Sequence, residues 1–84
     1  MLTIHYFASV REAVKRSKEE LELPENVANI GDLIEHLLLL HPHFEAVFHN
    51  DLNILIAVNQ TVVDKSQALE PGDEIAFFPP MTGG

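Results

Sequence analysis

The sequence predicts an α+β fold in which a mixed sheet packs on one main helix. Three observations point there. Residues 29–40 have helical periodicity, with Ile30, Leu33, Ile34, Leu37, Leu38 and Leu40 on one wide apolar face. Short alternating or wholly apolar stretches lie on both sides of that helix in the chain. The chain has 84 residues, enough for one domain. A domain of that size buries only about 60–65% of the surface its unfolded chain exposes. It has little room for an enclosed active site beside its core, which favours a carrier, a binding module or a subunit.

Residues 2–7 alternate Leu2, Ile4 and Tyr6 against Thr3, His5 and Phe7, the pattern of a strand whose second face is partly apolar. Residues 10–16 suit a short helix, with Ser9 as N-cap and Glu12 completing a capping box. Residues 19–23 place Glu19, Leu21 and Leu23 on one side and Glu20 and Glu22 on the other. This reads as a strand ended by Pro24. Asn29 caps the main helix, Asp32 puts a carboxylate in its first turn, and His41-Pro42 stops it. Residues 43–50 predict a short helical connector with Phe44, Val47 and Phe48 inward. Residues 52–58, broken only by Asn53, predict a buried central strand. Asn59-Gln60 turns the chain into a small strand at residues 61–63. Glu70-Pro71-Gly72-Asp73 is a second turn with proline at its favoured position, and residues 74–78 are the last strand. This order of elements is that of the β-grasp, or ubiquitin-like, arrangement, with a domain over residues 1–80 and a flexible C-terminal Gly-Gly tail at 81–84.

Composition removes several functions. There is no cysteine, which excludes a disulfide framework, a thiolate metal site and a cysteine nucleophile. The longest unbroken apolar run, residues 54–58, is far too short to span a bilayer, and the first residues lack the pattern of a signal peptide. A cytoplasmic protein is expected. Thirteen acidic against five basic residues give a formal charge of −8, which phosphate backbones and anionic membranes repel. Neither nucleic acid nor membrane is expected as a partner. Such a charge steers the chain toward a protein with a basic patch, or simply keeps it soluble.

After Phe78 the sequence changes character. Pro79-Pro80 cannot donate ladder hydrogen bonds and favours an extended, stiff conformation. Met81-Thr82-Gly83-Gly84 has nothing to pack with and reaches about 14 Å when extended. Without Cβ atoms, Gly83 and Gly84 suit a narrow channel, and they allow a terminal carboxylate to enter another protein's active site. Attack of that carboxylate on the α-phosphate of ATP gives an acyl-adenylate, and a sulfur nucleophile then gives a thiocarboxylate. Terminal glycines alone are also what any unstructured chain end carries. Phe77 and Phe78 point to opposite faces of a regular strand, so one belongs in the core and the other is available beside the tail. Phe7, Val58 and Ile75 are candidates for the same apolar patch.

Phe7-Ala8-Ser9-Val10-Arg11-Glu12, Ala57-Val58-Asn59-Gln60-Thr61, and the block from Leu69 to Pro80 running into Thr82-Gly83-Gly84 resemble the MoaD/ThiS family, which includes the sulfur-carrying small subunit of molybdopterin synthase. Carriers for thiazole synthesis and ubiquitin-like modifiers share the fold and Gly-Gly but usually lack the Phe-Phe-Pro-Pro lead-in. The resemblance implies that a MoeB-type adenylating enzyme uses ATP to convert the Gly84 carboxylate to a 1-glycyl adenylate. A sulfur donor system then installs sulfur. The tail, Met81 to Gly84, would enter a channel of a MoaE-type large subunit, with Phe7, Val58, Ile75, Phe77, Phe78, Pro79 and Pro80 at the interface. There sulfur passes to cyclic pyranopterin monophosphate within a heterotetramer. The chain would thus belong to an enzyme only as its sulfur-donating subunit, bind no cofactor of its own and bring no catalytic side chain beyond the terminal group of Gly84. The alternatives are a carrier for another sulfur pathway, such as thiazole synthesis, and a protein modifier joined to lysines. His36, His41, His43 and His49 bracket a helix end, where His41 suits the last carbonyls better than a metal, so no metal site is expected.

Overall fold

Alternation of apolar and polar residues from Leu2 gives the first strand, β1 (Leu2–Tyr6), with Leu2, Ile4 and Tyr6 buried and Thr3 and His5 on the other face. The computed structural model describes residues 1–48 and 54–79. After β1 come α1 (Ala8–Val14), β2 (Lys18–Leu21), α2 (Ile30–Leu40), a 3-10 turn (Pro42–Phe44), α3 (Glu45–Phe48), β3 (Leu55–Val58), β4 (Thr61–Val63) and β5 (Glu74–Phe78). The strands form one mixed sheet in the order β2-β1-β5-β3-β4. β1 and β5 are parallel; the other neighbours are antiparallel. One apolar cluster joins the inner face of the sheet to Ile30, Leu33, Ile34 and Leu37 of α2 and to Phe44, Val47 and Phe48. This is the expected β-grasp, and β5 rather than β3 is its middle strand.

The N-terminus of α2 is satisfied from two directions. Asn29 Oδ1 accepts from the Asp32 amide at 2.9 Å, an N-cap bond, and Asp32 Oδ2 reaches back to accept from the amide of Ala28, one residue before the cap, at 3.0 Å. The next two orphan donors, the amides of Ile30 and Gly31, go to the carbonyls of Gln67 (3.0 Å) and Lys65 (2.9 Å). Helix α2 is thereby fastened to the loop between β4 and β5. Leu40 was expected on its apolar face but is 51% exposed. At 3.6 residues per turn it lies about 80° from the middle of that face, where the core ends.

Two other boundaries differ from expectation. α1 begins at Ala8, and Ser9 is not its cap. Phe7 holds the N-cap position, and its carbonyl accepts from the amides of Val10 (3.1 Å) and Arg11 (3.3 Å). Ala8 turns the chain out of β1 with φ +51°, so Ser9 falls inside the first turn and the box with Glu12 does not form. β2 ends at Leu21, before the expected residue 23, because Leu21 pairs with Leu2, where β1 itself begins. The expected connector to Asn50 and the start of a strand at Leu52 run into residues 49–53, outside the described residues.

Both turns beside β5 need left-handed backbone. Asn59 (φ +49°) and Gln60 (φ +72°) close the β3–β4 hairpin, and Gly72 (φ +92°) closes the turn in which the Asp73 amide donates to the Glu70 carbonyl at 3.2 Å. The Asn59 side chain ties the two together. Its Nδ2 donates to Asp73 Oδ1 and its Oδ1 accepts from the Glu74 amide, both at 3.0 Å.

Tyr6 is buried between Phe44 and Phe77, with its hydroxyl donating to Glu19 at 3.1 Å. Burial first, and the Glu19 charge second, push the phenol far above its ordinary value. A phenol raised in the folded state contributes stability that is fully present below its unfolded value of about 10 and is lost as pH climbs further. Tyr6 is the single tyrosine and there is no tryptophan, so tyrosinate absorbance reads this one group. Denaturation midpoints of the wild type should therefore fall more steeply above about pH 10 than those of Tyr6→Phe, with tyrosinate appearing only as the chain unfolds. Tyrosinate formed near pH 10 in a chain that is still folded would contradict this.

Candidate functional site

The pleat of the sheet sorts the candidate residues onto two faces. Ile75 and Phe77 of β5 point inward and are buried, as is Val58 of β3. Phe77 stacks on Tyr6 at 6.0 Å and meets Phe48 edge-on at 5.0 Å. Val58, Ile75 and Phe77 are therefore core residues, which corrects their expected place at an interface, while the Phe77-Phe78 pair has one buried and one more exposed member, as expected. Phe78, one step along, is the half-buried member of the aromatic pair, and Pro79 after it is also half-buried. Phe7 is 48% exposed. Pro80, Met81, Thr82, Gly83 and Gly84 lie outside the described residues.

The residues opposite the helix make an open face that can be read from the strand register. His5 of β1, Ala76 of β5, Ala57 of β3 and Val62 of β4 stand side by side across four strands. Beyond them, Phe78 pairs with Leu55, and the Phe7 amide donates to the Phe77 carbonyl at 3.0 Å, which sets Phe7 beside Phe78. Two alanines in the middle leave a shallow groove of about 320 Å³, lined by His5, Phe7, Ala57, Gln60, Glu74 and Ala76. His5 stacks on Phe7 at 6.0 Å, and its Nε2 lies 3.6 Å from a carboxylate oxygen of Glu74. His5, Ala57, Gln60 and Ala76 escaped the sequence reading. Strand parity was the available signal, because Ala76 must face the same way as Phe78.

The point where the chain leaves the sheet is held on both sides. Tyr6 and Phe7 lie along one edge of Phe77 and Phe78, and Leu55 lies along the other. Whatever follows Pro79 starts from a fixed root at one rim of the apolar face. A wider groove of about 460 Å³ sits at the other end of β5, among Asn59, Gln67, Glu70 and Asp73. Asn59 and Asp73 there already bond each other and the backbone, so it is a brace between turns.

The histidines near the end of α2 make structural bonds. His41 caps α2 through its backbone, whose amide donates to the Leu37 carbonyl at 2.8 Å, but its ring does not meet the helix carbonyls as expected. Instead Nε2 lies 2.8 Å from Glu19 Oε2. Glu19 also receives Tyr6 and, at 3.3 Å, Arg16, so that one carboxylate joins β1, β2 and the end of α2. The ring that reaches a helix carbonyl is that of His43, 3.1 Å from the oxygen of Val14 at the end of α1. Among the described residues, no three His, Asp or Glu side chains converge as a metal site needs. Among the same residues, no helix is long and apolar enough to cross a membrane.

Comparison with known proteins agrees with this geometry. The sequence model of the ThiS family matches residues 4–84. The molybdopterin synthase sulfur carrier subunit of Escherichia coli is 37% identical over 84 residues, all of both chains. A putative molybdopterin converting factor, subunit 1, from Pyrococcus furiosus superposes with a TM-score of 0.76 at 34% identity, covering 95% of this chain and 97% of that one. The small archaeal modifier protein 1 of Haloferax volcanii superposes with a TM-score of 0.79 at 27% identity, covering 95% and 97% of the two chains.

The two-faced sheet has a direct consequence for mutation. Phe77→Ala removes a buried ring and should cost about 3–5 kcal/mol in urea unfolding. Phe7→Ala removes a half-exposed ring and should cost no more than about 1 kcal/mol. Equal losses at the two positions would contradict the assignment of faces.

Proposed function

The chain belongs to the ThiS family, and from that membership we propose that it is the sulfur-carrier subunit of a molybdopterin synthase. The observation that carries this reading is the 37% identity to the E. coli sulfur carrier subunit along the whole of both chains. The ending Phe77-Phe78-Pro79-Pro80-Met81-Thr82-Gly83-Gly84 supports the same reading.

In this reading Gly84 carries the reactive group. Its carboxylate oxygen attacks the α-phosphate of ATP in a MoeB-type enzyme and releases pyrophosphate. A sulfur nucleophile from the donor system then attacks the acyl carbon and releases AMP, leaving the thiocarboxylate. That sulfur is a far better nucleophile than the carboxylate oxygen it replaces. Met81, Thr82 and Gly83 make a slim lead that enters a MoaE-type large subunit, where sulfur passes to cyclic pyranopterin monophosphate. Two carriers and two large subunits make up the working assembly, which acts in the cytoplasm. This chain's own side chains supply docking and aim. Phe7 and Phe78 offer apolar surface beside the tail root, Pro79 and Pro80 stiffen its start, and buried Val58, Ile75 and Phe77 hold the sheet that presents them. ATP is consumed by the activating enzyme, and this chain holds no cofactor.

A second reading is favoured by the similarity to the Haloferax modifier. There the Gly84 carboxylate would end as an amide on a target lysine. One experiment separates the two. The purified chain, incubated with its adenylating enzyme, ATP and a sulfur source, should show the oxygen-to-sulfur mass shift on its C-terminal peptide. The shifted chain, mixed with the large subunit, should convert the pterin precursor. No shift, where a known carrier shifts in parallel, would overturn the proposal. Gly84-linked lysine conjugates from cells, without pterin conversion, would favour the modifier.

A further inference from the structure

Charge on this chain is unevenly placed. Residues 7–18 hold four of the five basic side chains, Arg11, Lys15, Arg16 and Lys18, and one acidic residue, Glu12, for a net charge of +3. The remaining residues hold twelve acids and Lys65, for −11. Arg16 and Lys18 are engaged within the chain, with Glu19 at 3.3 Å and Glu20 at 3.6 Å. Arg11 and Lys15 are exposed and form no ion pair with another described residue.

The backbone lines these two cations up with the exposed aromatic. The Arg11 amide donates to the Phe7 carbonyl at 3.3 Å, and the Lys15 amide donates to the Arg11 carbonyl at 2.8 Å. The backbones of residues 7, 11 and 15 thus follow one another along α1, from its N-cap to its C-cap, with Arg11 and Lys15 each one residue on from buried Val10 and Val14. Lys15 ends the helix with φ +64°, a left-handed position where glycine is the unstrained residue. A long charged side chain therefore stands where the backbone alone favours none.

We infer that Phe7, Arg11 and Lys15 form a docking ridge for a protein partner with an acidic surface. The ring supplies apolar contact at the head of the ridge, next to the groove of the open sheet face, and the cations set orientation and encounter rate. At physiological salt, fields fade over about 8 Å, so a surface touching the ridge feels its cations more than the distant acids. An extended phosphate surface would also meet the −11 remainder, which is why a protein is favoured over a membrane or nucleic acid. Arg11 in the last turn also complements the helix dipole, a structural role that a binding measurement separates from docking.

The choice of test partners rests on the carrier reading. Affinity of the full chain for its adenylating enzyme and for its large subunit is measured at two salt concentrations. The variants are Arg11→Glu/Lys15→Glu, the milder Arg11→Gln/Lys15→Gln, and the control Lys65→Glu, which alters the one basic residue outside residues 7–18. Circular dichroism and melting confirm folding. With at least one partner, charge reversal should weaken binding about tenfold or more and flatten its salt dependence, neutralisation should act in the same direction, and the control should stay within about twofold. Ridge variants that bind both partners as the control does would overturn the inference and leave the carrier reading intact. So would ridge-dependent binding to phosphatidylserine vesicles or duplex DNA in place of both proteins. A wild-type chain that binds neither partner would overturn the carrier reading and the ridge with it.

Discussion

The first and last strands of this chain lie side by side and parallel in the middle of the sheet, tied at one end by the Thr3 amide on the Asp73 carbonyl (3.1 Å) and at the other by the Phe7 amide on the Phe77 carbonyl (3.0 Å). Parallel neighbours cannot be joined by a tight turn, so everything from α1 to β4 serves as their connection. Both the helical layer and the outer strands are arranged around that pair. The same pairing brings Phe7, near the start of the sequence, beside Phe78, near its end. A surface assembled from residues so far apart along the chain exists only when the whole domain has folded. Pairing of such long range is also slow to form, since its loop closure must precede most of the contacts that reward it.

Three ties, two through side chains and one through the backbone, keep the long connection in place. Asn59 and Asp73 brace the β3–β4 hairpin against the turn that starts β5. The capped end of α2 is bonded to the carbonyls of Lys65 and Gln67. Glu19 gathers Tyr6, Arg16 and His41 at the opposite edge. The open face sets Phe7, Ala57 and Ala76 beside His5, Gln60 and Glu74 at its groove. The division suits a carrier: these ties fix the frame, and an open face with a firmly rooted strand end is left for partners.

Periodic elements could be read from the sequence, and those decided by pairing partners could not. Helix α2 with its Asn29 cap, strand β5 and both turns follow from local chemistry and stand where expected. The start of α1 was misplaced because Ser9 carries a strong local signal, whereas the observed turn depends on Ala8 accepting a left-handed φ where β1 ends. The end of β2 is set by where β1 begins, a fact no local window contains. At the site, Val58, Ile75 and Phe77 were assigned to a surface they do not share. Parity on β5 already put Ile75 with Phe77 and Ala76 with Phe78. What the sequence lacked was which pair faces the helix. His5, Ala57 and Gln60 become neighbours only through sheet order, so the groove they line was not legible.

The proposed carrier function puts the reactive group on Gly84, so that sulfur transfer depends on that residue while folding does not. A chain lengthened by one residue beyond Gly84, in a strain that cannot trim it, tests this most directly in a molybdopterin synthase turnover assay. The account predicts wild-type melting, retained affinity for the large subunit and no sulfur transfer. Sustained turnover by the untrimmed, lengthened chain would contradict it.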